Sequence, residues 1–264
     1  MLKIKYLHIH FADDQRYTLP SSVLPNLPDE GKSYTKQDIE MLCKYAKKRE
    51  VILIPEIEMP GHVKILNKKY PEILCQQYIK KHKLKDSKEL YAEFVKRTTD
   101  YVLSRGRTPI VWEGFSDENS NMISKDVLVI SWENHYQNVY DLLNNGFKVI
   151  NCSWQPLYVV NGIFEHERYH FEDILDWNVY EWKHWWLESD ASLNPIQIQP
   201  TEQVLGAQIC AWGLTYEMEI QRIVENLAAL SERSWSVKRI CNKYDYQNKA
   251  YKILDKIYML ISEE

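Results

Sequence analysis

Apolar residues recur along this chain at two different spacings, which predict strands and helices in alternation. Short runs of apolar and β-branched residues, most of them apolar on both faces, are typical of strands covered by helices. Six segments have this pattern: residues 4–11, 51–57, 109–113, 127–132, 148–153 and 205–212. Segments with apolar residues at helical spacing lie between them. This alternation predicts a parallel α/β fold.

Capping signals mark where the helices begin and end. Thr35 can cap a helix with Asp38 at its third position, as in a capping box. Asp86 likewise precedes a helical pattern that Gly106 is expected to end. Two further amphipathic helices are predicted, over residues 217–234 and 247–262.

Polar residues gather where the first two predicted strands end. Strand alternation puts the two histidines of the first strand on one face. The residues of interest are His8, His10, Asp13, Asp14, Glu56, Glu58 and His62. Ligand-binding groups collect at the C-terminal ends of parallel strands, so these residues are predicted to belong to an active site.

The two strand-end motifs, LHIHFADDQ and IPEIEMPGH, resemble those of glycoside hydrolase family 20, the β-N-acetylhexosaminidases. Later motifs continue the resemblance through Trp112-Glu113-Gly114, Pro156-Leu157-Tyr158 and Gly206-Ala207-Gln208, which runs into Trp212. The resemblance covers nearly the whole chain. It implies a single domain over residues 1–264, a parallel (β/α) barrel of TIM type. Only about six strands are recognisable, so the barrel is expected to be incomplete.

Two units of that barrel are expected to be missing. The first is an arginine-bearing strand and its helix, which in the family precede the strand with the two histidines. The second is a strand that ends in an adjacent Asp-Glu pair within a glycine-rich motif. This chain passes from Tyr70-Pro71-Glu72 directly towards the helix after Asp86, and its only Asp-Glu dipeptides lie in polar segments, at residues 29–30 and 117–118.

The resemblance implies a substrate-assisted retaining mechanism that removes terminal N-acetylhexosamine from glycans. In that mechanism the glutamate of the pair is the general acid, and the aspartate orients the 2-acetamido group. The chain lacks both residues and is therefore expected to be catalytically impaired. Glu58 and Glu113 could each replace the acid, but neither has an adjacent carboxylate to serve as orienter, so no rescue is expected.

The resemblance also implies roles for the residues that remain. His62 would form a supporting charge network with Asp13 or Asp14. Tyr158 would support the acetamide oxygen. Walls of the sugar pocket would come from Trp112, Trp177 and Trp212. Further candidates for the site are His10, Glu56, Glu58 and Glu113.

Other functions stay open at this point. Val160 and Gly213 stand where many members of the family carry sugar-binding acids, which favours a non-catalytic N-acetylhexosamine-binding or interaction protein. His8 and His10 at a strand end also resemble the two-histidine metal site of barrel amidohydrolases. An incomplete barrel would expose strand edges, through which a homo-oligomer could form.

Composition narrows the classes of partner. A formal net charge of −4 gives no basis for binding nucleic acid or an anionic membrane surface. No apolar run reaches the roughly 20 residues of a membrane span. Five scattered cysteines without a CxxC pair, and no signal segment, weakly indicate the cytoplasm. The expected ligand is a glycan that contains N-acetylhexosamine, and neither a cofactor nor a metal ion is expected.

Overall fold

The computed structural model describes residues 3–69, 75–160, 169–213, 215–236, 238 and 242–262. Tertiary contacts divide the chain into two compact units, residues 3–87 and residues 88–264. The single domain expected over residues 1–264 stays a prediction. The gap expected after Tyr70-Pro71-Glu72 falls on residues outside this description.

Two parallel strands form the centre of the unit at residues 3–87. β1 (Tyr6–His10) pairs with β4 (Ile52–Glu56), and the register sets His10 opposite Glu56. Both strands were predicted, and each is shorter than its apolar run. A small antiparallel hairpin of β2 (Ala12–Asp13) and β3 (Arg16–Tyr17) follows β1 directly.

The first helix of this unit begins at the predicted capping box. In α1 (Lys36–Lys48), the backbone N–H of Asp38 donates to Thr35 Oγ1 at 3.1 Å, and the backbone N–H of Thr35 donates to Asp38 Oδ2 at 2.7 Å. These reciprocal bonds satisfy donors that a helix start leaves unpaired. Two shorter helices complete the unit, α2 (Lys64–Lys69) and α3 (Cys75–His82).

Parallel strands also form the centre of the unit at residues 88–264. Its strands are β5 (Ile110–Trp112), β6 (Leu128–Ser131), β7 (Lys148–Asn151), β8 (Tyr158–Val160), β9 (Glu181–Trp182), β10 (Ile196–Gln197), β11 (Val204–Ala207) and β12 (Cys210–Trp212). Four of them form a parallel sheet in the order β11-β7-β6-β5, and β12 pairs in parallel with β8. The antiparallel pair of β9 and β10 is short.

The strand predicted over residues 205–212 is two strands with different partners. The register of β11 on β7 shifts at Gly206, whose φ of +144° suits glycine. The backbone N–H of Gln208 still donates to Asn151 O at 2.9 Å, and from Cys210 onward the chain pairs with β8 instead. β8 was not predicted because the apolar run that contains it, residues 157–160, is short and directly follows Pro156.

Helices cover a large apolar core in this unit. They are α4 (Ser87–Ser104), α5 (Val139–Asn144), the single turn α6 (Trp154–Leu157), α7 (Phe171–Asp176), α8 (Tyr216–Trp235) and α9 (Lys243–Ser262), with a 3₁₀ helix at Asp117–Met122. Gly106, at φ +67°, follows the end of α4 as predicted, and α8 and α9 confirm the two predicted C-terminal helices. Fully buried members of the core include Val129, Phe147, Val149 and Trp182.

These pairings confirm the parallel α/β class. Within the residues that the structure describes, the parallel strands fall into separate hydrogen-bonded groups and do not make one closed ring. None of the helices described is long and apolar enough to cross a membrane.

Candidate active site

Two histidines converge on one carboxylate at the C-terminal ends of β1 and β4. His10 Nδ1 lies 2.9 Å from Glu56 Oε2, and His8 Nε2 lies 3.2 Å from the same oxygen. The in-register pairing of the two strands causes this contact, because it sets His10 opposite Glu56 and leaves His8 two residues away on the same face. The Glu56 side chain is only 10% exposed, so its charge is well shielded from water.

The titration of this group differs from that of isolated side chains. Burial lowers the pKa of His10, but the hydrogen bond and charge of Glu56, helped by Asp13, outweigh burial and raise it above its usual value. Burial raises the pKa of Glu58 to about 7, and the charge of Glu56 and a hydrogen bond with it act in the same direction. The Glu56–Glu58 pair therefore holds a proton near neutral pH.

The turn after β4 places Glu58 and His62. A Cβ atom at Gly61 would lie 3.0 Å from Glu58 Oε1, so a larger residue there would push the Glu58 carboxylate slightly out of this position. His62 has a φ of +47°, and its Nδ1 lies 3.5 Å from Asp13 Oδ1, at ion-pair distance. His10 Nε2 lies 3.3 Å from the other oxygen of Asp13. Asp13 therefore links the two histidines.

Asp14 has a different partner, which the motifs did not indicate. Lys64 Nζ lies 2.5 Å from Asp14 Oδ2, and the Lys64 backbone N–H donates to Asp14 Oδ1 at 3.2 Å. The hydrogen bonds from Lys64 hold the pKa of Asp14 below its usual value. Of the two aspartates that the resemblance left open, the structure brings Asp13 to His62.

Two sets of side chains in this unit have a spacing that could hold a metal ion. They are His10, Glu56 and Glu58, and Asp13, Asp14 and His62, with the ligand atoms of each set within 4.8 Å of one another. Hydrogen bonds and ion pairs within the group already account for the positions of His10, Glu56 and Asp13.

In the unit at residues 88–264, aromatic side chains gather at strand ends. Trp112 ends β5, Trp132 follows β6, Trp154 follows β7, and Trp212 ends β12. All four pack against a small buried cluster that contains Tyr158. The Tyr158 ring stacks on Trp154 with centroids 4.2 Å apart and on Trp132 at 5.9 Å, and Trp132 meets Trp112 edge-on at 5.8 Å. Burial raises the pKa of Tyr158 well above its ordinary value.

Three N–H groups around these rings are buried without an acceptor. Within the described part of the chain, Trp132 Nε1, Trp154 Nε1 and His184 Nε2 have no hydrogen-bond partner. His184 Nδ1 accepts from the Trp186 backbone N–H at 2.9 Å, which assigns the proton of the neutral ring to Nε2. Burial lowers the pKa of His184 to about 4, so the ring is neutral at physiological pH. Such donors are rare in folded proteins and make candidate ligand contacts.

Glu113 lies beneath this aromatic group and supports it. The backbone N–H of Trp132 donates to Glu113 Oε2 at 3.0 Å, and that of His135 donates to Oε1 at 2.9 Å. Burial raises the pKa of Glu113 to about 8, although the hydrogen bonds from His135 and Trp132 oppose the shift. Both carboxylate oxygens are thus occupied inside the fold, which makes Glu113 a positioning residue for Trp132.

The structure does not bring Trp177 to this aromatic group. Trp177 lies in the large core, where its Nε1 donates to Glu181 O at 3.0 Å and its carbonyl accepts from Arg233 Nε at 2.7 Å. Trp132 and Trp154 contact Tyr158 instead, and neither was chosen from the sequence. The signal was present, since each lies just after the C-terminal end of a parallel strand, and Trp112 lies at such an end.

Comparisons with family models and with curated proteins indicate the same family. The model of the family "Glycosyl hydrolase family 20, catalytic domain" matches residues 1–78 and 73–238. "Beta-hexosaminidase subunit beta" of Mus musculus is 21% identical over 325 aligned residues, which cover 96% of this chain and 56% of the relative. "Beta-hexosaminidase 1" of Arabidopsis thaliana is 22% identical, over 91% of this chain and 52% of the relative. The chain spans just over half the length of these curated relatives.

Solved structures share the fold. A beta-N-acetylhexosaminidase from Bacteroides fragilis superposes with a TM-score of 0.73 and 17% identity, over 98% of this chain and 65% of that protein. Dispersin B superposes with a TM-score of 0.67 and 15% identity, over 89% of this chain and 92% of that protein. The fold is thus of the parallel (β/α) barrel type.

Proposed function

This chain belongs to glycosyl hydrolase family 20, and we propose that it binds glycans ending in N-acetylhexosamine and hydrolyses them far more slowly than an intact family member. The family match, together with relatives named as beta-hexosaminidases, supports the substrate class. The comparisons do not favour a metal-dependent amidohydrolase. The slow rate is proposed from the missing Asp-Glu pair.

The observation that carries glycan binding is the aromatic group around Tyr158. Sugar rings present flat C–H faces, and tryptophan offers a large, rigid surface for them. Trp112, Trp132, Trp154 and Trp212 pack around Tyr158 at the ends of parallel strands, where ligand sites of such folds lie. Hydroxyl and acetamide oxygens of a sugar are acceptors that suit the free N–H groups of Trp132, Trp154 and His184.

Three observations support impaired catalysis. The Asp-Glu dipeptides of this chain are not at strand ends: Asp29 contacts Lys69 Nζ at 2.8 Å in a loop segment, and Asp117 begins the 3₁₀ helix. The alignment with the mouse relative runs over 325 positions, more than the 264 residues of this chain, so the relative has residues that this chain lacks. The two matches to the family model meet at residues 73–78, where the missing segment was expected.

Binding is tested by titrating N-acetylglucosamine against the chain and following tryptophan fluorescence. Trp132→Phe removes one free N–H, and we expect it to weaken binding by roughly 5-fold, the equivalent of about 1 kcal/mol for one hydrogen bond. Trp235→Phe is the matched control, because Trp235 lies 67% exposed on α8 and away from the cluster. Equal affinity of the Trp132→Phe variant and the original chain would contradict a sugar site at this group.

Turnover is tested with nitrophenyl N-acetylglucosaminide. We expect hydrolysis at least roughly a thousandfold slower than by a family member with the Asp-Glu pair, because loss of a general acid alone costs about 10²–10⁴ in rate. Glu58→Gln and Glu113→Gln are assayed in parallel. A rate close to that of an intact enzyme, abolished by either substitution, would show that the acid has been replaced.

A further inference from the structure

Two cysteines meet beneath the aromatic group. Cys152 follows the last residue of β7, and Cys210 is the first residue of β12. Neither is part of a disulfide, both are buried, at 0% and 6% exposure, and their Sγ atoms lie 3.3 Å apart, within hydrogen-bonding distance for sulfur. A disulfide bond is about 2.05 Å long, so the two sulfurs need to approach by little more than 1 Å.

The backbone holds this contact in place. The backbone N–H of Cys152 donates to Ser131 O at 2.9 Å, which continues the pairing of β7 with β6. The Gln208 backbone N–H donates to Asn151 O at 2.9 Å. Asn151 directly precedes Cys152, and Gln208 lies two residues before Cys210. The Gln208 side-chain amide also donates to Cys210 Sγ at 3.3 Å. Strand pairing and the hydrogen bond between Gln208 and Asn151 thus hold the backbones of the two cysteines near each other.

We propose that Cys152 and Cys210 are a redox modification site, at which a peroxide converts the two thiols into an intramolecular disulfide. One sulfur attacks a peroxide oxygen, the O–O bond breaks, and the sulfur becomes a sulfenic acid as one water molecule leaves. The second thiol sulfur then attacks the sulfenic sulfur. The S–S bond forms, the S–O bond breaks, and the oxygen leaves as a second water molecule with the thiol proton. Two thiols lose two electrons, and one peroxide gains them.

The surroundings favour this reaction between these two sulfurs. Cys43, the other cysteine whose side chain the structure describes, lies exposed on α1, in the unit at residues 3–87. A buried pair in contact restricts the oxidant to a small molecule such as hydrogen peroxide, and once a sulfenic acid forms, the neighbouring thiol is already in place to resolve it.

The disulfide would form directly beside Tyr158. Cys152, Cys210 and Tyr158 belong to the same small buried cluster, against which Trp112 and Trp212 pack. Drawing the sulfurs together shifts atoms in contact with the tyrosine ring, so oxidation is expected to change the affinity of the aromatic group for sugar. This last consequence rests on the proposed function, whereas the modification itself does not.

The test is peroxide treatment of the folded full chain. Remaining thiols are then blocked with N-ethylmaleimide in denaturant, and the peptides are mapped by mass spectrometry. We expect a peptide pair that joins Cys152 to Cys210, about 2 Da lighter than the two reduced peptides together and separated by dithiothreitol. The same treatment of urea-unfolded chain should give mixed pairings of all the cysteines.

Two cysteine variants serve as controls for the cross-link. The Cys43→Ser chain should form the same cross-link, and the Cys152→Ser chain should not. The mapping of the unsubstituted chain is decisive even where a variant folds poorly. Recovery of Cys152 and Cys210 as blocked thiols while Cys43 is oxidised, or mixed pairings in the folded chain, would overturn the proposal. Glycan is absent from this readout, so its result is separate from that of the proposed function.

Discussion

His10 Nδ1 and Glu56 Oε2 lie 2.9 Å apart, on residues that are direct partners in two parallel strands. The same carboxylate oxygen contacts His8 at 3.2 Å. A largely buried carboxylate between two imidazoles is stabilised most when an imidazole is protonated, because a charged hydrogen bond is stronger than a neutral one. Stability of the unit at residues 3–87 is therefore expected to depend on pH.

Glu56→Gln should reduce the free energy of unfolding by about 1–3 kcal/mol, the range for hydrogen bonds to charged groups. The raised pKa of His10 gives the sign of the pH dependence. Its stabilising contribution is complete below the unfolded pKa of about 6.5 and is lost as pH rises through the higher folded pKa. The loss caused by Glu56→Gln should thus be greater at pH 5.5 than at pH 8.5.

Urea denaturation at both pH values measures this loss. Glu40→Gln, on the exposed face of α1, is the matched control and should change stability little. An effect of Glu56→Gln that grows with pH would contradict the assigned role of His10.

Glu58→Gln should raise the free energy of unfolding at high pH, whereas Glu56→Gln lowers it. The pKa of Glu58 is about 7 in the folded chain, against an ordinary value of 4.5. Its contribution to stability is complete below pH 4.5 and is lost as pH rises through about 7, because the folded chain disfavours the charged form. Glutamine mimics the neutral form, so the variant should gain on the original chain between pH 5 and pH 8.5.

The gain should be on the order of 1–2 kcal/mol, less than the full pKa shift implies, because Glu58 is only partly buried and solvent screens its charge. Denaturation midpoints over this pH range, with Glu40→Gln as control, measure it. A constant difference between variant and original chain would show that Glu58 titrates normally.

Glu113→Ala should destabilise the unit at residues 88–264 by about 2–4 kcal/mol. The substitution leaves the backbone N–H groups of Trp132 and His135 without their acceptor, and a buried donor without a partner costs about 1–3 kcal/mol. Chemical denaturation measures the loss, and near-UV circular dichroism should show a changed aromatic signal, as expected when Trp132 loses its support. Glu202→Ala, at an exposed position before β11, is the control. An unfolding free energy that Glu113→Ala leaves unchanged would contradict the supporting role of Glu113.

Gly114→Ala should cost about 1–3 kcal/mol through overpacking. A Cβ atom there would lie 2.7 Å from Tyr91 Oη and 3.3 Å from Tyr91 Cζ. Removing the hydroxyl relieves the closer contact, so Gly114→Ala in a Tyr91→Phe background should cost clearly less. A double-mutant cycle of unfolding free energies measures this coupling. Additive losses would mean that another neighbour limits the space at Gly114.

Self-association is expected from the strand edges. β5 is an end strand of the four-stranded sheet, and an end strand exposes unpaired backbone groups that can pair with a second copy. Sedimentation velocity at increasing concentration should show a dimer or larger species. A compact monomer at every concentration, with high thermal stability, would contradict this expectation.

Local sequence patterns were sufficient to predict several of the helices and strands. The capping box at Thr35 and Asp38 depends on residues three apart, and the first two strands follow from short apolar runs. The strand-end position of His10, Glu56 and Glu58 follows as well, because a parallel sheet directs these ends to one edge.

Contacts between distant residues were decided only by the tertiary structure. Asp13 lies at ion-pair distance from His62, whereas Asp14 pairs with Lys64, at the start of α2. Residue type does not distinguish Trp177, in the core, from Trp132, against Tyr158. Likewise, Cys152 and Cys210 are 58 residues apart, and their contact requires the change of partner between β11 and β12. Register and helix packing bring such residues together, and periodicity along the chain carries no information about either.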